Sequence, residues 1–205
     1  MARYLITQSL LSAWDYTFSC HEGSEDSAYE DFLRTLNREK GEPTEAMQNG
    51  IMFESAVYAT ANGTFNPAGH CWESGIRKVA AILGNAPVQV KAQREITVDG
   101  MDFLVYGVLD ALKAGTIYDV KFKNKGFGSL ELAGSYLDSA QHPAYFYIVP
   151  EAFEFKYLVS DGTDIYVEPY RPEETRFIGD IISEFIQSLA GWGLLDLYKE
   201  KWLTK

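Results

Sequence analysis

Between Val88 and Lys123 the chain alternates or runs apolar, is rich in β-branched and aromatic residues, and is cut twice, at Asp99-Gly100 and at Ala114-Gly115. Interruptions of this length and composition are hairpin turns, because their residues tolerate the positive φ that a tight strand-to-strand connection needs. The spacing predicts strands over Val88–Val98, Met101–Leu112 and Thr116–Lys123, joined as an antiparallel meander. A two-residue loop at Ala114-Gly115 also sets the register: Lys113 faces Thr116, Leu112 faces Ile117, Ala111 faces Tyr118, and Asp110 faces Asp119. The alternative, a three-residue loop with a glycine bulge, would move Asp110 off that register by one residue. Residues facing each other have Cβ atoms roughly 5 Å apart. Two carboxylates so placed destabilise a sheet unless a cation lies between them, and a hard, oxygen-ligated ion such as magnesium suits the pair.

Around the meander the periodicity is helical. Leu10, Leu11, Trp14 and Phe18 share a face over about Ser9 to Phe18, behind a cap at Thr7 or Ser9. Further helices are expected over Thr44–Ala61, Trp72–Leu83 and Ser129–Val149. Strands over Phe153–Ser160 and Asp164–Tyr170 turn at Asp161-Gly162, and a long helix from Pro172 carries Phe177, Ile181, Ile182, Phe185, Ile186 and Leu189 in one stripe. His21–Ser27 reads as a loop. The order of helices, meander, helix, hairpin and helix places the chain in the α/β class, with a central mixed sheet flanked by helices on both faces. Residues 1–205 read as one domain, which at this length buries roughly 70% of its unfolded surface. Cys20 and Cys71 are too few for a disulfide scaffold or an iron–sulfur cluster, and they imply a reducing compartment. With no leader at Met1-Ala-Arg-Tyr-Leu and no run near the roughly 20 apolar residues of a membrane span, the expectation is a cytoplasmic protein with no membrane partner.

A net charge of −11 opposes general binding to nucleic acid. The residues from Arg77 to Lys125 nonetheless carry eight basic against five acidic side chains, a local excess suited to handling phosphate. Within that segment Asp119-Val-Lys121 holds an acid and a lysine two apart, hence on one face of a strand. The spacing alone is uninformative: 29 acidic residues make such a match expected by chance, and Glu154-Phe-Lys156 is a second one. The opposing Asp110 separates the two. Lys121, next on the face of Asp119, is placed to orient a water or to stabilise charge developing on a phosphate. Lys123 and Lys125 continue toward backbone phosphates beside it. Cys20-His21 and His70-Cys71 make a poor zinc set, since adjacent side chains diverge. Trp192, Leu194, Leu195, Leu197, Tyr198 and Trp202 form either core or a self-association surface.

Asp110 in Gly107-Val-Leu-Asp110, followed by Asp119-Val-Lys121, resembles the PD-(D/E)XK nuclease superfamily, whose core is the restriction-endonuclease-like fold. Gly50-Ile-Met-Phe-Glu54 is similar to the helical GxxxE motif of its exonuclease branch. Gln141-His-Pro-Ala-Tyr145 is similar to the QxxxY motif of RecB-like and lambda-exonuclease-like members, and Ile6-Thr-Gln-Ser-Leu10 with Trp14 resembles the opening helix of RecB-like nucleases. The matches follow the family's order over about residues 6 to 170, with Glu54 standing where RecB-like members often place histidine.

The resemblance implies a metal-dependent phosphodiesterase, specifically an exonuclease acting on DNA in phage-type recombination. It implies magnesium or manganese as cofactor, Asp110, Asp119, the Val120 carbonyl and Glu54 as ligands, and Lys121 as the catalytic lysine. Gln141 and Tyr145, at i and i+4, would face substrate. It further implies a homo-oligomer and a single-strand annealing recombinase as partner. The alternative is a catalytically silent nucleic-acid-binding or assembly protein on the same fold, against which the joint presence of Asp110, Asp119 and Lys121 argues.

Overall fold

The structure is a computed structural model that describes residues 3–124, 126–127 and 133–204. Lys125 and the expected helix start at Ser129 lie outside the described residues. Strand β1 (Arg3–Thr7) leads into α1 (Gln8–Ser19), capped by the Thr7 hydroxyl, which accepts the Leu10 amide at 3.3 Å. Helices α2 (Glu25–Leu36), α3 (Glu45–Ala61) and α4 (Glu73–Leu83) precede the meander of β2 (Val88–Val98), β3 (Met101–Lys113) and β4 (Thr116–Phe122). After α5 (Gln141–Ile148) come β5 (Glu154–Ser160), β6 (Ile165–Tyr170), α6 (Ile178–Gly191) and α7 (Leu195–Lys201). The expected class is the one found: a six-stranded mixed sheet with seven helices among the described residues. None of these helices is long and apolar enough to cross a membrane.

Both turns of the meander take the two-residue form. Asp99 and Gly100 have φ of 50° and 76°, Ala114 and Gly115 of 49° and 79°, the paired left-handed geometry that matches strand twist. The β3–β4 register is accordingly the expected one, Lys113 with Thr116, Leu112 with Ile117 and Ala111 with Tyr118. There the ladder stops. On the same edge of β3, β1 pairs in parallel from Asp102 to Tyr106, while β2 covers the opposite edge. The sheet therefore forks: β1 and β4 share one edge of β3 and leave Gly107 to Asp110 between them. Helix α5 fills the fork. The Tyr145 hydroxyl donates to the Val108 carbonyl at 2.9 Å, satisfying a group that no strand reaches.

Two cores result. The larger joins α1, α2, α5, α6 and α7 to one side of the sheet through residues such as Phe103, Leu109, Tyr145, Phe155 and Phe185. The smaller packs α3 and α4 on the other through Phe53, Val57, Ile76, Ala111, Val120 and Leu158. Trp202 and Tyr198 are buried in the larger core, with Trp192, Leu194, Leu195 and Leu197 packed against it. This C-terminal apolar run is thus core rather than the self-association surface.

Several expected elements differ. Arg3–Thr7 is a strand, and Glu25–Leu36 is a helix that takes in the end of the expected loop His21–Ser27. Its apolar side is only the narrow stripe of Ala28, Phe32 and Leu36. The helix expected over Ser129–Val149 begins at Gln141, which puts Pro143 in the first turn, where its missing amide hydrogen does no harm. Pro172–Glu174 is a short 3₁₀ turn, and α6 starts only at Ile178, leaving Phe177 exposed ahead of it.

The fork explains Gly107. A Cβ there would lie 2.6 Å from Tyr145 Cε1 and 2.9 Å from Ile148 Cδ1, and the tyrosine is anchored through its hydroxyl. Gly107→Ala is expected to lower unfolding free energy by about 1–3 kcal/mol, the range for overpacking. Gly50→Ala, on an open face of α3 with nothing within 4 Å, should raise it by about 0.5–1 kcal/mol. Urea denaturation of both variants checks the pair.

Candidate active site

Asp110 belongs to neither ladder of β3. Pairing with β2 joins Leu109 to Val90 and Ala111 to Val88, and pairing with β4 ends at Ala111. Freed from the sheet, the Asp110 carboxylate reaches across the gap and accepts the Val120 amide at 2.8 Å through Oδ2. The Val120 amide is thus engaged by the carboxylate of β3, apart from the carbonyl expected as a metal donor. Asp119, 3% exposed, continues β4 toward the larger core. Its Oδ1 accepts from Gln141 Nε2 at 2.5 Å. Lys121 Nζ stands 2.7 Å from its Oδ2, so the carboxylate is held by the glutamine on one oxygen and by an ammonium on the other.

Glu54 arrives from the other side, on α3. Its residues Phe53 and Val57 are buried in the smaller core, which orients the intervening carboxyl toward the seam between the two cores. There it accepts from Gln89 Nε2 at 3.2 Å, with Tyr58 one turn along the helix favouring its charged form. Burial, with Asp119 nearby, raises the Glu54 carboxyl above the ordinary value despite both neighbours.

The charges of the site conflict. Burial, then the neighbouring Asp119 and Glu54 carboxylates, push Asp110 up to about 8, against the opposing pull of the Val120 amide and Lys121. Burial alone would depress Lys121, but Asp119 and Asp110 hold its ammonium above the usual lysine value. A third of the Lys121 side chain remains open to solvent. Among the described residues, no three acidic, histidine or cysteine side chains close into a metal cage. The donor chemistry nevertheless fits a hard cation: two mutually repelling carboxylates and a third within electrostatic reach.

The sheet separates the two acid-x-lysine matches. Lys156 alternates onto the opposite face from Asp119 and Lys121, where it pairs with Glu154 at 2.8 Å. Gln141 and Tyr145, expected to face substrate, are instead 4% and 5% exposed. Their polar groups go to Asp119 and the Val108 carbonyl where α5 fills the fork, and Tyr145 also lines an open pocket with Thr7, Gln8, Ser9, Tyr106 and Gly107. Lys121 and Lys123 each hold their ammonium 5.9 Å from a ring of the stacked pair Tyr157 and Tyr136. His142 is buried against Tyr170 and bonded to the Tyr157 hydroxyl; burial lowers it to about 4, so it is neutral. Tyr58 and Gln89 escaped the sequence reading, although both were within its reach. Tyr58 stands four residues beyond Glu54, and the Asp99-Gly100 turn sets Gln89 opposite Asp110.

The raised Asp110 carboxyl makes the metal-free protein pH-sensitive. An unfolded aspartate ionises near 3.9. Between about pH 4 and 8 the folded chain therefore holds a proton that the unfolded chain has lost, and stability falls as pH rises through this window. Asp110→Asn should accordingly be more stable than wild type in chelator at pH 8.5, on the order of a few kcal/mol, since a tenfold change in proton affinity is about 1.4 kcal/mol. The difference should shrink toward pH 5. Urea titrations at both pH values give the comparison, and parallel curves for the two proteins would contradict the assignment.

No protein-family model matches this sequence, and no curated protein matches it. Among solved structures, the crystal structure of SSO0001 superposes with a TM-score of 0.54 at 14% identity, covering 92% of this chain and 76% of that one. That of LHK-Exo in complex with dAMP superposes with a TM-score of 0.47, also at 14% identity, covering 96% and 89%. The likeness to SSO0001 is one of fold.

Proposed function

We propose that this chain is a magnesium- or manganese-dependent nuclease of the PD-(D/E)XK type, cleaving DNA from an end. The observation that carries the reading is the conflict between Asp110 and Asp119 beside Lys121. Asp119 is buried, Asp110 and Lys121 are half-buried beside it where the sheet opens, and Lys121 Nζ stands 2.7 Å from Asp119 Oδ2. A divalent cation held by Asp110 and Asp119, with Glu54 and the Val120 carbonyl as further donors, would supply Lewis acidity toward a phosphate oxygen.

The chain's own groups would then do the following. Gln141 keeps the Asp119 carboxylate in one orientation through Oδ1 and leaves Oδ2 directed at the site. Tyr145 holds the fork open by replacing a strand at Val108. Lys121, positively charged at neutral pH, orients an attacking water or stabilises charge on the scissile phosphate from its solvent-reachable side. Lys123, at the end of β4, offers a second positive charge to the adjoining backbone. Assembly into a homo-oligomer and pairing with a single-strand annealing recombinase belong to the same proposal.

Labelled linear and circular DNA, each with magnesium, manganese or chelator, test it. Linear DNA should be degraded with either metal and spared in chelator, and circular DNA should survive. Lys121→Ala should lose roughly a hundredfold or more in rate while melting like wild type. Lys156→Ala should retain full activity. A wild-type chain that binds DNA but leaves every substrate intact would favour the silent-binder alternative, and a dead Lys156→Ala beside an active Lys121→Ala would refute the site.

A further inference from the structure

Gln89 lies within the 11-residue strand β2, yet its φ is +54°, the left-handed region that non-glycine residues enter at an energetic cost. The neighbouring residues pair normally with β3, Val88 to Ala111 and Val90 to Leu109, so the ladder skips only Gln89 and its register partner Asp110. The break also changes which side each strand faces. Leu109 belongs to the larger core and Ala111 to the smaller, although side chains two apart on a regular strand share a face. The turned backbone directs the Gln89 amide away from β3 toward α3. There Nε2 donates to Glu54 Oε1 at 3.2 Å and to the Tyr58 hydroxyl at 3.4 Å. Glu54 thus has a donor from the strand next to Asp110.

We propose that Gln89 is a positioning residue, whose left-handed backbone is retained because it brings a side-chain amide to Glu54 and holds that carboxylate turned toward Asp110 and Asp119. This inference rests on the metal-dependent reading of the site. Strain kept at a functional position has a specific signature: its relief stabilises the fold and weakens the site. A structural turn residue lacks it, because relieving its strain harms nothing else.

Three variants separate the backbone from the reach. Gln89→Gly removes both the strain and the amide. Gln89→Asn tolerates the left-handed backbone but is one methylene shorter, so it keeps the turn and loses the contact. Glu54→Gln removes the charge that Gln89 orients. Manganese affinity measured by titration calorimetry should fall about tenfold in Gln89→Gly and Gln89→Asn, the lower end of the range for groups that orient metal ligands. The urea midpoint of Gln89→Gly should rise at the same time. In the Glu54→Gln background, adding Gln89→Gly should leave manganese affinity unchanged, because the residue acts through Glu54. Cleavage should lose kcat with KM for DNA unaltered.

Wild-type manganese affinity in Gln89→Gly, or an equal loss with and without Glu54, overturns the positioning role while the metal site stands. Absence of manganese binding in the wild-type chain overturns the metal reading and this inference together.

Discussion

One hydrogen bond organises the molecule around its site: the Val120 amide donates to the Asp110 carboxylate and not to a backbone carbonyl of β3. Every backbone amide at this depth needs an acceptor. By taking that role, Asp110 ends the β3–β4 ladder at Ala111 and lets β4 diverge toward β5, with which it pairs along its whole length. The divergence opens the fork, the fork admits α5, and α5 delivers Gln141 to Asp119 and Tyr145 to Val108. Removing the carboxylate would leave an amide without its partner as well as altering the charge of the site, which is why asparagine, not alanine, isolates the electrostatic effect.

The site also lies where neither core alone could have built it. Asp119 and Lys121 alternate onto the α5 side of the sheet, and Glu54 is carried by α3 on the other. The side-chain parity of β2 and β3 shifts between cores at Gln89 and Asp110. A flat, regular sheet would hold these groups on opposite faces, separated by the sheet itself. Interrupting two ladders at one residue of β3 brings both sides to a common seam, and the accompanying loss of regular pairing is offset by side-chain hydrogen bonds to the freed groups.

What was legible in the sequence follows from this construction. Tight turns dictate register, so Ala114-Gly115 sufficed to align Ala111 with Tyr118, while the expected pairing of Asp110 with Asp119 falls just beyond the last pair of the ladder. The consequence of that alignment for the backbone was not legible, because period-2 reasoning assumes an unbroken ladder. Gln141 and Tyr145 were found as a pair at helical spacing, but spacing does not tell whether a polar pair meets solvent or an opened sheet. Strand β1 and helix α2 were missed for another reason. Five residues paired in parallel to β3, and a narrow apolar stripe in an acidic helix, acquire their structure from tertiary contacts rather than from local pattern.

The electrostatics of this seam argue for a cation on physical grounds that are separate from any resemblance. Phosphodiesters are anions, the chain as a whole carries −11, and the site sets three carboxylates against one half-buried lysine. That lysine is already paired to Asp119, and the positive charge of Lys123 stands off over Tyr136. Without further positive charge, a phosphate brought to Lys121 would meet the unpaired potential of Asp110 and Glu54 in a medium where screening is weak. Protonation of Asp110 relieves part of that repulsion, but it also removes the acceptor that a hard cation would use. The two ways of neutralising the pair are therefore mutually exclusive, and only a bound cation would leave a charge able to attract the phosphodiester proposed as substrate.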